Sequence, residues 1–169
     1  MSMHAKVAAL PEPSAREDFL GAYLETLSMV ERLHRLLLDV VKDEFERLGI
    51  IDINSVQALL IFNIGDNEVT AGELKTRGYY QGSNVSYNLK KLVECGYMHH
   101  QKCDVDRRAV RVRLTEKGRG IRTVIAQLFQ RHASGILSRE VLGNMRIEDI
   151  NASLRRMERY WSDQIRYIY

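Results

Sequence analysis

Ala109-Val110-Arg111-Val112-Arg113-Leu114 runs directly into Thr115-Glu116-Lys117-Gly118, and the two halves of this stretch obey different rules. The first half alternates apolar and cationic residues at period two. That is the pattern of a half-buried strand, with Val110, Val112 and Leu114 toward a core and Arg111 and Arg113 outside. The second half opens a helix with Thr115 as its N-cap. Upstream, residues 97–102 read as a partner strand, and Cys103-Asp104-Val105-Asp106-Arg107-Arg108 is polar loop, so the pair forms a β-hairpin with a charged tip.

Two short helices precede the hairpin. Thr70-Ala71-Gly72-Glu73 is a capping box that starts one helix, running to about Thr76. Gly78-Tyr79-Tyr80-Gln81-Gly82 breaks it, Ser83 caps the next, and Val85, Leu89, Leu92 and Val93 are that helix's apolar positions before Gly96 closes it. Two helices around a glycine-bearing turn are a helix-turn-helix, and a hairpin after them makes a winged helix. Further upstream, Glu68-Val69-Thr70 has room for only a very short strand. Asn54-Ser55-Val56-Gln57 is another capping box, and its helix should stop at Gly65-Asp66-Asn67.

Long helices flank this unit. Ser14-Ala15-Arg16-Glu17 reads as a capping box, followed by Phe19, Tyr23, Leu27, Val30, Leu33, Leu37, Val40-Val41, Glu44-Phe45 and Leu48 at steps of three and four, with Gly49 as the C-cap. After Thr115 the stripe is Ile121, Val124-Ile125, Leu128-Phe129, His132 and Ile136. A short helical turn is expected within residues 138–144. A last helix from about Ile147 carries Leu154, Met157, Tyr160-Trp161, Ile165 and Ile168. The apolar faces of the first and last helices exceed what one small winged-helix core can cover, which points to a second subunit. The expected fold is mainly α with a small β-hairpin wing. The expected division is a mobile tail over residues 1–13, a helical dimerisation region over 14–49 and 119–169, and a winged helix-turn-helix DNA-binding region over 50–118.

Composition agrees with a folded domain: 169 residues, 45% hydrophobic, 28% charged, two Cys and two Pro. The Cys count excludes a disulfide scaffold, and no apolar run approaches the ~18 residues of a membrane span; a cytoplasmic protein without a membrane partner is expected. Net charge is only +3, but residues 72–122 hold 12 basic and 5 acidic residues, a local +7. A cationic middle between anionic flanks points to a polyanion, although a solvated charged face would look the same.

The chain resembles the MarR family of dimeric winged-helix transcription regulators over residues 15–168. The motifs that carry the likeness are Gly72-Glu73-Leu74-Lys75, Ser83-Asn84-Val85-Ser86-Tyr87-Asn88-Leu89-Lys90-Lys91-Leu92, Glu94-Cys95-Gly96-Tyr97, Asp104-Val105-Asp106-Arg107-Arg108 and Val112-Arg113-Leu114-Thr115-Glu116-Lys117-Gly118. The last two together are fairly specific. The sequence departs from the family at Tyr79-Tyr80-Gln81-Gly82, where a Gly, an aliphatic residue and a Pro are usual; this bears on base preference, not on fold. A narrower likeness is to alphaproteobacterial members linked to cell-wall L,D-transpeptidase expression. The resemblance implies a homodimer on double-stranded DNA, acting as a repressor and relieved by a small aromatic or anionic effector. It also implies that Asp106 orients Arg108 of the wing. From the residues alone, Asp106 is equally a turn former.

The expected DNA-reading residues are Ser83, Asn84, Ser86, Tyr87 and Asn88, which offer donors and acceptors to a major groove. Asn84 and Asn88 are expected on one face, with Asn88 favoured for base contact; Ser83 and Asn84 also suit capping. Lys90, Lys91, Lys75 and Arg77 are expected on phosphates. Arg107 and Arg108 suit a narrow minor groove, and Arg111 and Arg113 either touch phosphates or keep the strand soluble. A ligand crevice of the kind the resemblance implies would draw on His34, Leu38, Phe45, Phe62, Tyr79, Tyr80 and His132, all of which also fit plain core or surface roles. Cys103, beside cationic residues, is a possible thiol switch, which leaves a redox sensor as an alternative reading. A dimer used for protein contacts is another. Cys95, His99, His100 and Cys103 lack zinc-ligand spacing, since adjacent His residues on a strand point to opposite faces. Nucleotide-binding glycine loops and nucleophile motifs are missing, so neither a cofactor nor an enzyme is expected.

Overall fold

The computed structural model describes residues 12–76, 82–102 and 110–168. Its elements follow the order α1 (Pro13–Leu48), α2 (Ser55–Ile64), β1 (Val69–Thr70), α3 (Ala71–Thr76), α4 (Gly82–Glu94), β2 (Met98–Lys102), β3 (Val110–Leu114), α5 (Glu116–Ser138) and α6 (Ile147–Ile168). The result is a mainly helical protein with one small sheet.

Capping chemistry sets most boundaries. Asn54 Oδ1 accepts from Gln57 N–H at 2.9 Å and Gln57 Oε1 accepts from Asn54 N–H at 3.0 Å, a reciprocal box at the start of α2. Thr70 and Glu73 make the same exchange at α3. Gly49 and Gly96 adopt φ of 69° and 76°, the left-handed conformation that terminates α1 and α4 as expected. Two starts differ from expectation. No capping box forms at Ser14; α1 begins at Pro13, after an extended Glu12 that makes no side-chain cap. A proline fits a first helical turn because its missing N–H would be unpaired there anyway. Ser83 is not an N-cap, because α4 already begins at Gly82. Residues 139–144 form turns rather than a helix.

The sheet has the order β1-β3-β2, with β3 antiparallel to both neighbours. Val112 sits between Val69 and His100, and Leu114 opposite Met98. Val69, Met98, Val112 and Leu114 are buried while Arg111 and Arg113 are exposed, as the alternation requires. These strands close a core with Leu60, Ile61 and Ile64 of α2, Leu74 of α3, Val85, Leu89 and Leu92 of α4, and Ile121, Ile125 and Leu128 of α5.

The hairpin is welded to α5 at one spot. Thr115 N–H donates to the Tyr97 carbonyl at 3.1 Å, Thr115 Oγ1 donates to the Gly96 carbonyl at 2.8 Å, and the same oxygen accepts from Gly118 N–H at 3.1 Å. A Cβ on Gly118 would run into the Tyr97 carbonyl oxygen. Glycine is therefore required here for proximity, not for an unusual backbone angle. Beside it, Asp52 accepts from Tyr97 Oη at 2.6 Å and from Lys117 Nζ at 2.8 Å, and the ammonium lies 4.0 Å from the Tyr97 ring centroid. These contacts hold Asp52 well below the usual carboxylate range, mainly through the Lys117 bond.

α1 is only partly covered. Val41, Glu44 and Phe45 are buried near its end, whereas Phe19, Leu20, Leu24, Val30, Leu33, Leu36 and Leu37 are exposed. Glu44 is the polar member of the buried stripe. Its carboxylate accepts from Arg47 of the same helix at 2.8 and 3.0 Å and from Arg131 of α5 at 2.6 Å. The hydrogen bonds from Arg47 and then Arg131 bring its pKa from 4.5 down to about 2.

Two outcomes are expected. Gly118→Ala should lower stability by about 1–3 kcal/mol, as overpacking does, read as a fall in thermal midpoint; an unchanged midpoint would show that the hairpin base yields freely. Because the folded pKa of Glu44 is depressed, its contribution is complete above 4.5 and fades as pH falls toward 2. Glu44→Gln should therefore melt lower than the native chain at neutral pH, with the gap closing across that acid window.

Candidate nucleic-acid interface

α4 carries two faces set by the helical repeat. Val85, Leu89 and Leu92 are buried, and Asn84, Ser86, Tyr87, Lys90 and Lys91 are exposed, with Tyr87 60% accessible. Spacings of three and four place Asn84, Tyr87 and Lys91 along one side of the exposed surface, with Ser86 and Lys90 beside them. Amide, hydroxyl and ammonium groups thus share a narrow helix face, the combination that reads base edges and grips phosphates.

Asn88 departs from expectation. It is 8% exposed, and its Oδ1 accepts from Gln57 Nε2 at 3.2 Å. Asn84, four residues earlier and only about 40° away around the helix, is exposed, so the two amides on this side of α4 differ in burial. One hundred degrees per residue puts position 88 at the margin of the stripe of Val85, Leu89 and Leu92, and its side chain is buried there against Gln57.

The local cationic excess is partly spent inside the molecule. Lys91 bonds Glu94 at 2.9 Å, Lys117 bonds Asp52, Arg119 bonds Glu116 at 2.6 Å and Arg122 bonds Asp66 at 2.5 Å. The Glu94 carboxylate raises the Lys91 pKa, so this cation stays charged. Among the described residues, Arg111 and Arg113 have no acidic partner; they project from the outer face of β3 opposite Gln101 and His99. Lys75 lies on α3. Arg77, Asp106, Arg107, Arg108 and Cys103 lie outside the described residues, and so do Tyr79 and Tyr80; for Ser83 only the position in the first turn of α4 is described.

Of the residues expected to line a ligand crevice, five lie among the described residues. His34 and His132 are exposed, Leu38 is half-buried against the core, Phe45 is buried, and Phe62 packs edge-on against Phe129 with centroids 5.2 Å apart. Phe45 borders an open cleft with Lys42, Ile50, Ile51 and Ile53; of the other described candidates, His34, Leu38, Phe62 and His132 do not line it. Among the described residues no group of three or more His, Cys, Asp or Glu could hold a metal ion, and no helix is long and apolar enough to cross a membrane. Cys95 is half-buried, its sulfur 3.9 Å from the Asp52 carbonyl.

Sequence reasoning missed the Gln57–Asn88 bond, the Asp52–Tyr97–Lys117 group and the Glu44–Arg131 pair. Each joins segments remote in the chain. The only local sign was Glu44 falling on an apolar stripe.

With this geometry in place, comparison with known proteins is informative. Residues 53–118 match a family model described as a winged helix DNA-binding domain. The exopolysaccharide II synthesis transcriptional activator ExpG of Rhizobium meliloti is 34% identical over 151 residues, covering 89% of this chain and 77% of that protein. Its name concerns exopolysaccharide synthesis and adds nothing to the narrower transpeptidase-linked likeness. Among solved structures, the transcriptional regulator SlyA is similar with a TM-score of 0.68 at 19% identity, covering 85% of this chain and 99% of that one. Streptococcus pneumoniae FabT, solved in complex with DNA, has a TM-score of 0.58 at 22% identity, with coverage of 84% and 99%. The chain belongs to the MarR family of winged-helix, DNA-binding transcriptional regulators.

Proposed function

We propose that two copies of this chain bind a pseudo-palindromic duplex, each placing α4 in a major groove, with half-site centres roughly 10 bp apart. The observation that carries this reading is the division of α4, whose apolar face is buried while Asn84, Ser86, Tyr87, Lys90 and Lys91 stand free of the core. Asn84 and Tyr87 read base edges. Lys90, Lys91, Arg111 and Arg113 bind phosphates, and Arg107 and Arg108, the latter oriented by Asp106, enter the minor groove. FabT and AbfR were each solved bound to DNA on the same fold, which supports a duplex partner here.

Pairing of copies is supported by the exposed apolar residues of α1, together with Ile136 and Leu137 of α5 and Leu154, Trp161 and Ile165 of α6. Exposed apolar residues in such number are the usual mark of a surface that another molecule covers. The sign of control follows from where the operator lies relative to a promoter. Repression was the expectation from family resemblance, and a 34% identical relative named as an activator argues against fixing that sign from the fold.

Arg113→Ala should weaken binding to every duplex alike and make the salt slope shallower by about 1, whereas Asn84→Ala should cost about 1–3 kcal/mol only where its base pair is present. The measurement is a salt-titrated binding series with a duplex enriched from a randomised pool. Binding that ignores salt would sink the phosphate-contact reading and favour a protein partner. Leu33→Glu should shift sedimentation from dimer to monomer; a dimer undisturbed by that charge would remove α1 from the interface.

A further inference from the structure

The amide of Gln57 has its orientation fixed by the backbone. Its Oε1 accepts from Asn54 N–H, and since a backbone N–H can only donate, Nε2 is the end left over. That Nε2 donates to Asn88 Oδ1. Gln57 is 7% exposed and Asn88 8%, so a directional bond between α2 and α4 lies inside an otherwise apolar contact.

Apolar packing by Val85, Leu89 and Leu92 limits the roll of α4 by shape alone, without the directionality of a hydrogen bond. A hydrogen bond has one length and one direction, and breaking it strands two buried polar groups. A roll of about 20° moves a side-chain tip roughly 5 Å from the helix axis by about 2 Å, enough to lose a base-edge hydrogen bond. The capping box clamps Gln57 to the start of α2, and Gln57 in turn clamps α4.

We infer that Gln57 and Asn88 are positioning residues: their buried amide pair sets the roll of α4, and with it the base selectivity of Asn84 and Tyr87, while Asn88 itself touches no DNA. This rests on the reading of α4 as the helix that enters the groove.

The test uses the full chain, a duplex enriched by the native protein from a randomised pool, the single-base variants of that duplex, and an unrelated duplex. The readout is the ratio of enriched to unrelated affinity, with thermal midpoints alongside. Asn88→Asp keeps the oxygen that Gln57 bonds but has no N–H to give an adenine. Its ratio should stay within about twofold of native even if both affinities fall through added negative charge. Asn88→Leu and Gln57→Met should each lower the ratio about tenfold or more, with the loss spread across the half-site. The double variant should be no worse than the worse single one, because both remove the same bond. Asn54→Ala, which weakens the cap but leaves the amide pair, should lower the midpoint and keep the ratio.

A collapse of discrimination at one A·T pair in Asn88→Asp would overturn the inference in favour of direct base contact. So would a native ratio in Gln57→Met, or a ratio that falls equally in Asn54→Ala. If the leucine and methionine variants do not fold, Asn88→Asp alone decides. Should the native chain enrich no sequence from the pool, the groove-binding reading and this inference fall together; a native chain that enriches one while the variants keep its ratio removes this inference alone.

Discussion

The close approach of Gly118 to the Tyr97 carbonyl is the contact on which the architecture turns. At that point β2, β3 and α5 meet within one backbone thickness, and Thr115 satisfies the Gly96 carbonyl and the Gly118 N–H with a single hydroxyl. Any side chain at position 118 would push α5 off the sheet. α5 supplies Ile121, Ile125 and Leu128 to the core that supports α4, so the hairpin, α4 and the helical region share one fixed point. The Leu-Thr-x-x-Gly run is therefore a packing requirement first and a family mark second.

Around that point, polar groups do the orienting and apolar groups supply the burial. Asp52 ties the connector after α1 to Tyr97 and Lys117, Glu44 ties α1 to α5 through Arg131, and Gln57 ties α2 to α4. Each adds a directional polar contact between elements remote in the chain. Breaking one would leave the burial largely intact while loosening the angle between the elements it joins.

Most of the fold was legible in the sequence because its boundaries are local. Capping boxes at Asn54 and Thr70, C-caps at Gly49 and Gly96, and alternation from Val110 to Leu114 each depend on residues within a few positions of one another. Where a purely local sign misled, geometry explains why. Ser14 and Glu17 have the letters of a capping box, but Pro13 already suits a first helical position and α1 starts there. The candidate site was legible in outline, since the exposed members Asn84, Ser86, Tyr87, Lys90 and Lys91 follow from the helical repeat. The burial of Asn88 was not legible, because polarity alone suggested exposure. Its partner lies 31 residues away, a distance no local pattern encodes.

The uncovered length of α1 has a consequence for how the molecule behaves in different quantities. A 36-residue helix that its own chain buries only near one end is incompletely solvated by protein, whichever surface finally covers the rest. If another copy provides that cover, folding and association obey one mass-action law, and dilution loosens the long helix before it disturbs the winged core. Cellular abundance would then act as a control variable in its own right, because scarce protein would be both poorly paired and poorly ordered.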